Sequence, residues 1–321
     1  MNTYNEIGER LVTDITIPKD FNCSKIKEIY GSIYGFMAGH LYEAMKFFEE
    51  NPPPDVRALS FTANLVSTGL RGVFAQLIRE KVFNVVFTTC GTLDHDIARA
   101  MGGRYLKGSF SLDDEELYEQ GYHRLGNIVI PISDYGPLVE KFVFDLTEKL
   151  PEREKAWPLY QLLWEAGKMI NDENSILRAA YETRTPIFVP GWPDGAFGTN
   201  IFMANQAGKN IRIDYFNDMK KLSEIFFTQE KKGFALIVGG GISKHHTIWW
   251  SQFMGGLDSA IYVTTAVEYD GSLSGAHPRE AVSWGKIKPR SKRIIIYSDA
   301  TLTLPLIACS ALQNWGKKPN Q

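Results

Sequence analysis

The chain has 321 residues, of which 44% are hydrophobic and 22% are charged, values typical of a globular protein with a substantial core. Its formal charge of −2 argues against nucleic-acid binding, so small molecules and proteins are the expected partners. No apolar run approaches the ~20 residues of a membrane span, and the first residues lack the features of a signal peptide. The separated cysteines Cys23, Cys90 and Cys309 predict neither a disulfide framework nor a zinc site, and a cytoplasmic location is expected.

Apolar residues recur every three or four positions over residues 24–50, which predicts one amphipathic helix with Ser24 as its N-cap. The run 51–54, Asn-Pro-Pro-Pro, ends this helix because proline lacks a backbone donor and clashes with the preceding turn. We therefore expect an N-terminal helical arm over residues 1–55, a hinge at the prolines, and a main domain over residues 56–321.

Beyond Pro54 the sequence repeats a short apolar run, a small polar turn and a segment of helical periodicity. Six runs are predicted as strands: 57–61, 84–87, 187–189, 235–238, 260–263 and 294–297. Helices are also expected at 157–170 and 175–184. Strands that alternate with helices predict an α/β fold with a doubly wound, mainly parallel sheet covered on both faces.

The turns after these strands are the predicted floor of one ligand site, because open parallel sheets bind ligands at the carboxyl ends of their strands. The glycines at 239–241 allow a phosphate to approach the backbone. Hydrogen-bonding groups for ribose are available from Asn64, Ser67, Thr88, Thr89 and Asp299. The dinucleotide fingerprint and the P-loop are both absent, so nucleotide binding and simple tight turns stay open as interpretations.

Residues 280–286 place Lys286 beside Trp284 and directly after Gly285. An ammonium held against an indole loses hydration, which favours the neutral amine that forms imines. The alternative is a surface lysine whose stem packs on tryptophan. His245 follows the glycine turn and is a candidate to hydrogen-bond a ligand or move a proton. Since His245 and His246 are adjacent and diverge on a helix, no metal site is predicted.

Several blocks of the chain resemble deoxyhypusine synthase in their order and spacing. They are GGGISKHH at 239–246, TAVEYDGS at 265–272, EAVSWGKI at 280–287, SFTANLVSTGLR at 60–71, TTCG at 88–91 and YSDA at 297–300. The resemblance extends over about residues 57–312. It implies a Rossmann-like NAD-binding fold, so the main domain is expected to bind NAD and to carry the catalytic lysine.

The resemblance also implies an activity and a set of residues. In that family NAD takes a hydride from spermidine, an enzyme lysine holds the four-carbon fragment as an imine, and a lysine of a translation factor receives it. The enzymes are homotetramers. By this resemblance Lys286 and His245 are the catalytic residues. The NAD contacts are Ala63, Asn64, Ser67, Thr89, Gly91, Asp194, Gly240, Thr265, Ala266, Asp299 and Ala300. The amine contacts are Asp94, His95, Thr199, Gly271, Ser272, Leu273, Glu280 and Trp284.

The amine positions depart from the family pattern. Thr199, Leu273 and His95 replace usual acids, and Trp249 replaces a small polar residue. Buried ammonium groups need carboxylate partners, so these changes predict an altered amine site. The sequence therefore predicts an NAD-dependent aminoalkyl transferase that uses an imine on Lys286 and a small amine or polyamine. Three alternatives stay open: an authentic deoxyhypusine synthase, a homospermidine-type synthase and a non-catalytic NAD-binding paralogue.

Overall fold

A computed structural model describes residues 22–150 and 156–317 of the chain. The expectation that the chain lacks a signal peptide concerns residues outside these ranges, as does the first part of the predicted arm. In chain order the first elements are α1 (Cys23–Ile33), α2 (Met37–Glu50), β1 (Val56–Phe61), α3 (Leu70–Arg79), β2 (Val85–Phe87), α4 (Cys90–Ala100), β3 (Leu106–Lys107), α5 (Asp114–Glu119), β4 (Tyr122–Leu125), β5 (Ile128–Pro131), α6 (Gly136–Lys149) and β6 (Ala156–Trp157). The remaining elements are α7 (Leu159–Met169), α8 (Ile176–Thr183), β7 (Ile187–Phe188), α9 (Ala196–Gln206), β8 (Arg212–Ile213), α10 (Tyr215–Phe226), β9 (Gly233–Val238), α11 (Gly241–Ser251), β10 (Leu257–Thr264), α12 (Glu280–Ser283), β11 (Ile287–Tyr297) and α13 (Ala300–Trp315).

The central sheet has six parallel strands in the order β11-β10-β9-β1-β2-β7. Each corresponds to a predicted run, so the predicted α/β fold with a mainly parallel sheet is confirmed. Successive side chains of a strand point to opposite faces. Leu59, Phe61 and Leu236 accordingly enter the core on one face, whereas Ala58 and Ile237 enter the core on the other.

The strand order places a topological switch between β1 and β9. From β1 the chain runs outward through β2 to β7, returns to the opposite side of β1 as β9, and then runs outward to β11. The connections leave a crevice at the carboxyl ends of β1 and β9, where ligands bind in sheets of this kind. The fold therefore directs the turns after all six strands to one edge.

The prediction of one helix over residues 24–50 is wrong. The segment forms α1 and α2, separated by Tyr34 and Phe36 with φ of 50° and 51°. Asn22 rather than Ser24 is the N-cap of α1, and its side chain accepts a hydrogen bond from the N–H of Lys25. The apolar spacing continues through the break, so periodicity alone does not reveal it.

Helix α2 packs within the main core. Its residues Ala44, Phe47 and Phe48 are buried against one face of the sheet, and Phe48 contacts Phe234 of β9 edge to face with ring centroids 5.6 Å apart. The domain boundary at residue 55 stays a prediction, but α2 shares a core with the elements that follow it.

The expectation that the cysteines form no disulfide is also wrong. Cys23 of α1 is bonded to Cys309 of α13, and Cys90 is free and buried. The two bonded residues are 286 positions apart, so their proximity depends on how the terminal helices pack and cannot be read from cysteine spacing.

Two small sheets were not predicted: an antiparallel sheet β3-β5-β4 and a parallel pair β6-β8. Their strands are only two to four residues long, too short for an alternation pattern to identify. Within residues 22–150 and 156–317, no helix is long and apolar enough to cross a membrane, and no cluster of three or more His, Cys, Asp or Glu side chains is arranged to hold a metal ion.

Asp218 is a buried carboxyl group in the first turn of α10. Its Oδ1 accepts a hydrogen bond from the backbone N–H of Tyr160 at the start of α7, and its Oδ2 has no partner among the described residues. Burial raises the pKa of Asp218 to about 7. The folded protein therefore holds this proton more tightly than the unfolded chain, and the carboxylate is destabilising above neutral pH.

We expect Asp218→Asn to stabilise the protein in a pH-dependent way. In the wild type, stability is lost as pH rises from the unfolded pKa of 3.8 to about 7. The amide cannot ionise, so the free energy of unfolding should rise by about 2–4 kcal/mol at pH 8 and change little at pH 4. Urea unfolding at both pH values measures this difference, and an equal effect at the two pH values contradicts the explanation.

Candidate active site

The residues predicted to bind NAD follow the carboxyl ends of all six strands. Ala63, Asn64 and Ser67 follow β1, Thr89 and Gly91 follow β2, Asp194 follows β7, Gly240 follows β9, Thr265 and Ala266 follow β10, and Asp299 and Ala300 follow β11. Because the strands are parallel, these residues share one edge of the sheet. Their grouping here is a consequence of the fold.

The turn after β2 leads into a helix N-terminus that has no side-chain cap among the described residues. Thr89 is the N-cap of α4 and, within the described chain, makes no side-chain capping hydrogen bond. A Cβ atom on Gly91 would lie 2.9 Å from the Cβ of Ala63, so glycine lets the two turns approach each other. An uncapped helix N-terminus attracts anions through its N–H groups and dipole. This donor set fits a dinucleotide phosphate.

The glycine block after β9 has a packing role. A Cβ atom on Gly240 would lie 2.2 Å from Oγ of Ser274, and the N–H of Gly241 donates to the same oxygen at 3.1 Å. The loop after β10 therefore covers the N-terminus of α11. This contact accounts for glycine at position 240 without a phosphate.

At the β11 end, Asp299 has its carboxylate engaged. Its two oxygens accept hydrogen bonds from the N–H and the hydroxyl of Thr301, each at 2.8 Å, so Asp299 is the N-cap of α13. Asn64 and Asp194, by contrast, have exposed side chains at the same edge. Their polar groups are accessible to a ligand.

A cavity of about 300 Å³ lies beside α11, β10 and α12. Five of its residues were predicted from the sequence: Lys286, His245, Leu273, Glu280 and Trp284. The others are Lys244, Ile248, Trp249, Tyr262, Ala276, His277 and Ala281. Glu280 is the only carboxylate among these lining residues, whereas two lysines line the same space.

Lys286 is nearly buried, with 8% of its surface exposed. Its Nζ lies 5.1 Å from the ring centroid of Trp284 and 5.9 Å from that of Trp249. Its backbone N–H donates to the carbonyl of Ala281, and Gly285 adopts a φ of 66° just before it. This turn at the end of α12 directs the amine into the cavity between two indole rings.

His245 lies one turn into α11 and lines the same cavity. Burial lowers the pKa of His245, and the nearby ammonium of Lys286 lowers it further. Its ring stacks on Trp249 with centroids 5.9 Å apart and an interplanar angle of 25°. A neutral imidazole beside an amine can accept a proton from it.

Lys244 is a cavity residue that the sequence analysis did not select. It is 1% exposed, and its Nζ donates to the carbonyls of Ala276 at 2.7 Å and Ser274 at 3.4 Å. The Nζ also lies 4.6 Å from the ring centroid of Tyr262. Burial lowers the pKa of Lys244 to about 8, although nearby carboxylates oppose this shift. Its position just before His245 was visible in the sequence, but its burial was not.

Tyr262 of β10 was also missed. It is 1% exposed, and its hydroxyl has no hydrogen-bond partner among the described residues. Burial raises the pKa of this phenol. A buried hydroxyl without a partner beside a cavity is expected to bond a polar ligand there.

Five predicted amine contacts do not line this cavity: Asp94, His95, Thr199, Gly271 and Ser272. Asp94 accepts hydrogen bonds from the N–H groups of Ala196 and Phe197, and so caps α9. Burial raises the pKa of Asp94, and these hydrogen bonds partly offset that increase. His95 pairs with the hydroxyl of Tyr105 at 2.8 Å, and burial lowers its pKa to about 4.

The remaining three lie on exposed segments. Thr199 is exposed on α9, and Gly271 and Ser272 are exposed in the loop after β10. The structure thus separates the predicted amine set into residues at the Lys286 cavity and residues elsewhere. Together the fold and the cavity define an α/β protein in which a buried lysine, Lys286, lines a cavity, while the predicted NAD contacts follow the carboxyl ends of the strands.

Comparisons with known proteins agree with this class. A family model described as deoxyhypusine synthase matches residues 25–311. A protein of Aeropyrum pernix described as a probable deoxyhypusine synthase is 59% identical over 307 residues, which cover 95% of this chain and 99% of that protein. A Sulfurisphaera tokodaii protein of the same description is 52% identical, with 94% of this chain and 96% of that protein covered.

A solved structure supports the fold. The crystal structure of a deoxyhypusine synthase candidate from Entamoeba histolytica matches 95% of this chain and all of that chain, with a TM-score of 0.61 and 18% identity. The chain belongs to the deoxyhypusine synthase family. The predictions of this family and of a transferase are confirmed.

Proposed function

We propose that this protein is an NAD-dependent aminoalkyl transferase that forms an imine on Lys286 and has an altered amine site. The observation that carries the proposal is the semi-buried amine of Lys286 between the indoles of Trp284 and Trp249. This placement brings a primary amine, the group that forms an imine with a carbon–nitrogen double bond, into a cavity.

The carboxyl edge of the sheet supports NAD binding. The N-terminus of α4 suits a pyrophosphate, and the exposed side chains of Asn64 and Asp194 suit ribose hydroxyls. When bound, NAD would accept a hydride from the carbon beside the amine nitrogen and return it to the product.

Lys286 and His245 have complementary roles in the transfer. His245 takes a proton from Nζ of Lys286, and the free amine attacks the carbon–nitrogen double bond of the oxidised substrate. The bond to the departing amine breaks, its nitrogen leaves with the proton from His245, and a double bond to Nζ remains. An acceptor amine then displaces Lys286 by the same exchange, which restores the lysine.

The charge of the cavity supports a substrate other than spermidine. Glu280 is the only carboxylate among the described lining residues, which also include Lys244 and Lys286. Leu273 and Trp249 add apolar surface to the wall. A triply charged amine pays a large desolvation cost without carboxylate partners, so we propose a shorter or less charged amine. A translation-factor lysine as acceptor and a homotetramer stay predictions of the family resemblance.

Covalent trapping with a panel of amines tests the proposed function. The protein is incubated with NAD and each amine, reduced with borohydride, and digested for mass spectrometry. We expect an NAD-dependent adduct on the peptide that contains Lys286, formed faster with diamines than with spermidine. Absence of an adduct with every amine refutes the transferase mechanism, and fastest trapping with spermidine refutes the altered amine site.

A further inference from the structure

We propose that Trp249 is a specificity-determining residue that limits the length of the amine by separating two cavities. The inference rests on the proposed function, because it concerns the amine that reacts at Lys286. Trp249 lines the 300 Å³ cavity that contains Lys286, and it also lines a second cavity of about 220 Å³. Only His245 and Trp249 belong to both linings, so this pair is the partition.

The second cavity lies between α10 and α11. Its lining consists of Tyr215, Met219, His245, His246, Trp249 and Trp250. None of these side chains carries a carboxylate, and burial lowers the pKa of His246 to about 4, so its ring is neutral at pH 7. The space is suited to an aliphatic chain whose end contacts aromatic faces or neutral imidazoles.

The indole of Trp249 is held in its position by stacking on His245 and by an edge contact with Phe253, whose ring centroid is 6.4 Å away. It is nonetheless 43% exposed, so it is not part of the closely packed core. Its face also lies 5.9 Å from Nζ of Lys286. An amine bound at Lys286 therefore meets this indole where a longer site would continue.

Removal of the partition should join the two cavities. We expect Trp249→Ala to shift the preferred substrate toward longer chains in a series of linear diamines. For the longest diamines, kcat/KM relative to the shortest should rise by about tenfold or more, since added methylenes then find apolar space. Trp249→Leu provides a second variant, which keeps an apolar side chain at this position but lacks the flat indole ring. Calorimetric binding of the same diamines gives a readout that does not depend on turnover.

Phe202→Ala on α9 is the control. It removes an aromatic side chain that is 59% exposed and lines neither cavity. Its chain-length profile should match that of the wild type. An unchanged profile in both Trp249 variants, with trapping on Lys286 intact, overturns the partition alone. Loss of trapping in the wild type with every amine overturns the proposed function and this inference with it.

Discussion

Lys286→Ala should abolish covalent trapping of the amine fragment and lower turnover by about a thousandfold or more. The variant removes the proposed nucleophile, and covalent catalysis has no substitute at this position because the indoles of Trp284 and Trp249 carry no amine. The loss corresponds to about 4 kcal/mol of transition-state stabilisation. Borohydride trapping and steady-state kinetics with the best amine of the panel measure the two effects.

Lys286→Arg is the matched control for charge. Its guanidinium keeps a cation between the two indoles but does not deprotonate to form an imine. Trapping should therefore be lost in both variants, while NAD affinity, measured by calorimetry, stays near that of the wild type. Retained turnover in Lys286→Arg would show that the positive charge, not the nucleophile, is what the reaction needs.

Peptide mapping distinguishes Lys286 from Lys244, the second lysine that lines the same cavity. Burial lowers the pKa of Lys244 to about 8, but the residue is only 1% exposed and its Nζ donates to the carbonyls of Ser274 and Ala276. An amine engaged in this way is poorly placed to attack a substrate. The trapped fragment should be found on the peptide of Lys286, and an adduct on Lys244 would reverse the two assignments.

Lys244→Met should lower kcat/KM by about a hundredfold through a positional effect. Lys244 holds the backbone at Ser274 and Ala276, and this loop carries Leu273 into the cavity. Hydrogen bonds from a charged donor contribute about 1.5–3 kcal/mol each, so their loss should release the loop. Methionine retains most of the buried volume. Kinetics with the best amine measure the change.

The free energy of unfolding, measured as a function of pH, separates the positional role of Lys244 from a general loss of folding. The folded state releases the Lys244 proton near pH 8, whereas the unfolded chain holds it to 10.5. The unfolded state thus binds more protons in that interval, and wild-type stability gains from rising pH. Lys244→Met should lack this gain, about 2–3 kcal/mol. Lys288→Met, at a lysine paired with Asp258 outside the cavity, should keep it.

Local sequence patterns were sufficient for the sheet and part of the site. The six apolar runs became the six parallel strands, because burial on both faces demands continuous apolar character. Lys286 and Trp284 are two residues apart, so their proximity at the cavity follows from local geometry. His245 was found in the same way, because it follows the glycine turn after β9.

Contacts between distant segments were not predictable in this manner. The chain turns at Tyr34 and Phe36 although apolar spacing continues, and Cys23 meets Cys309 only when α1 packs near α13. Asp94 was expected to contact the amine, but its carboxylate caps α9, about a hundred residues later in the chain. A carboxylate's role depends on which donors reach it, and sequence spacing does not record this.

The sequence by itself determined the alternation of strands and helices, the sheet edge at which the polar turns meet, and the position of Lys286 beside Trp284. These features arise from periodicity, propensity and short-range order along the chain. Tertiary structure alone decided that Lys244 is buried and that Trp249 lines two cavities. Burial and partition depend on side chains brought together from different elements, and their free energies exist only once those elements have packed.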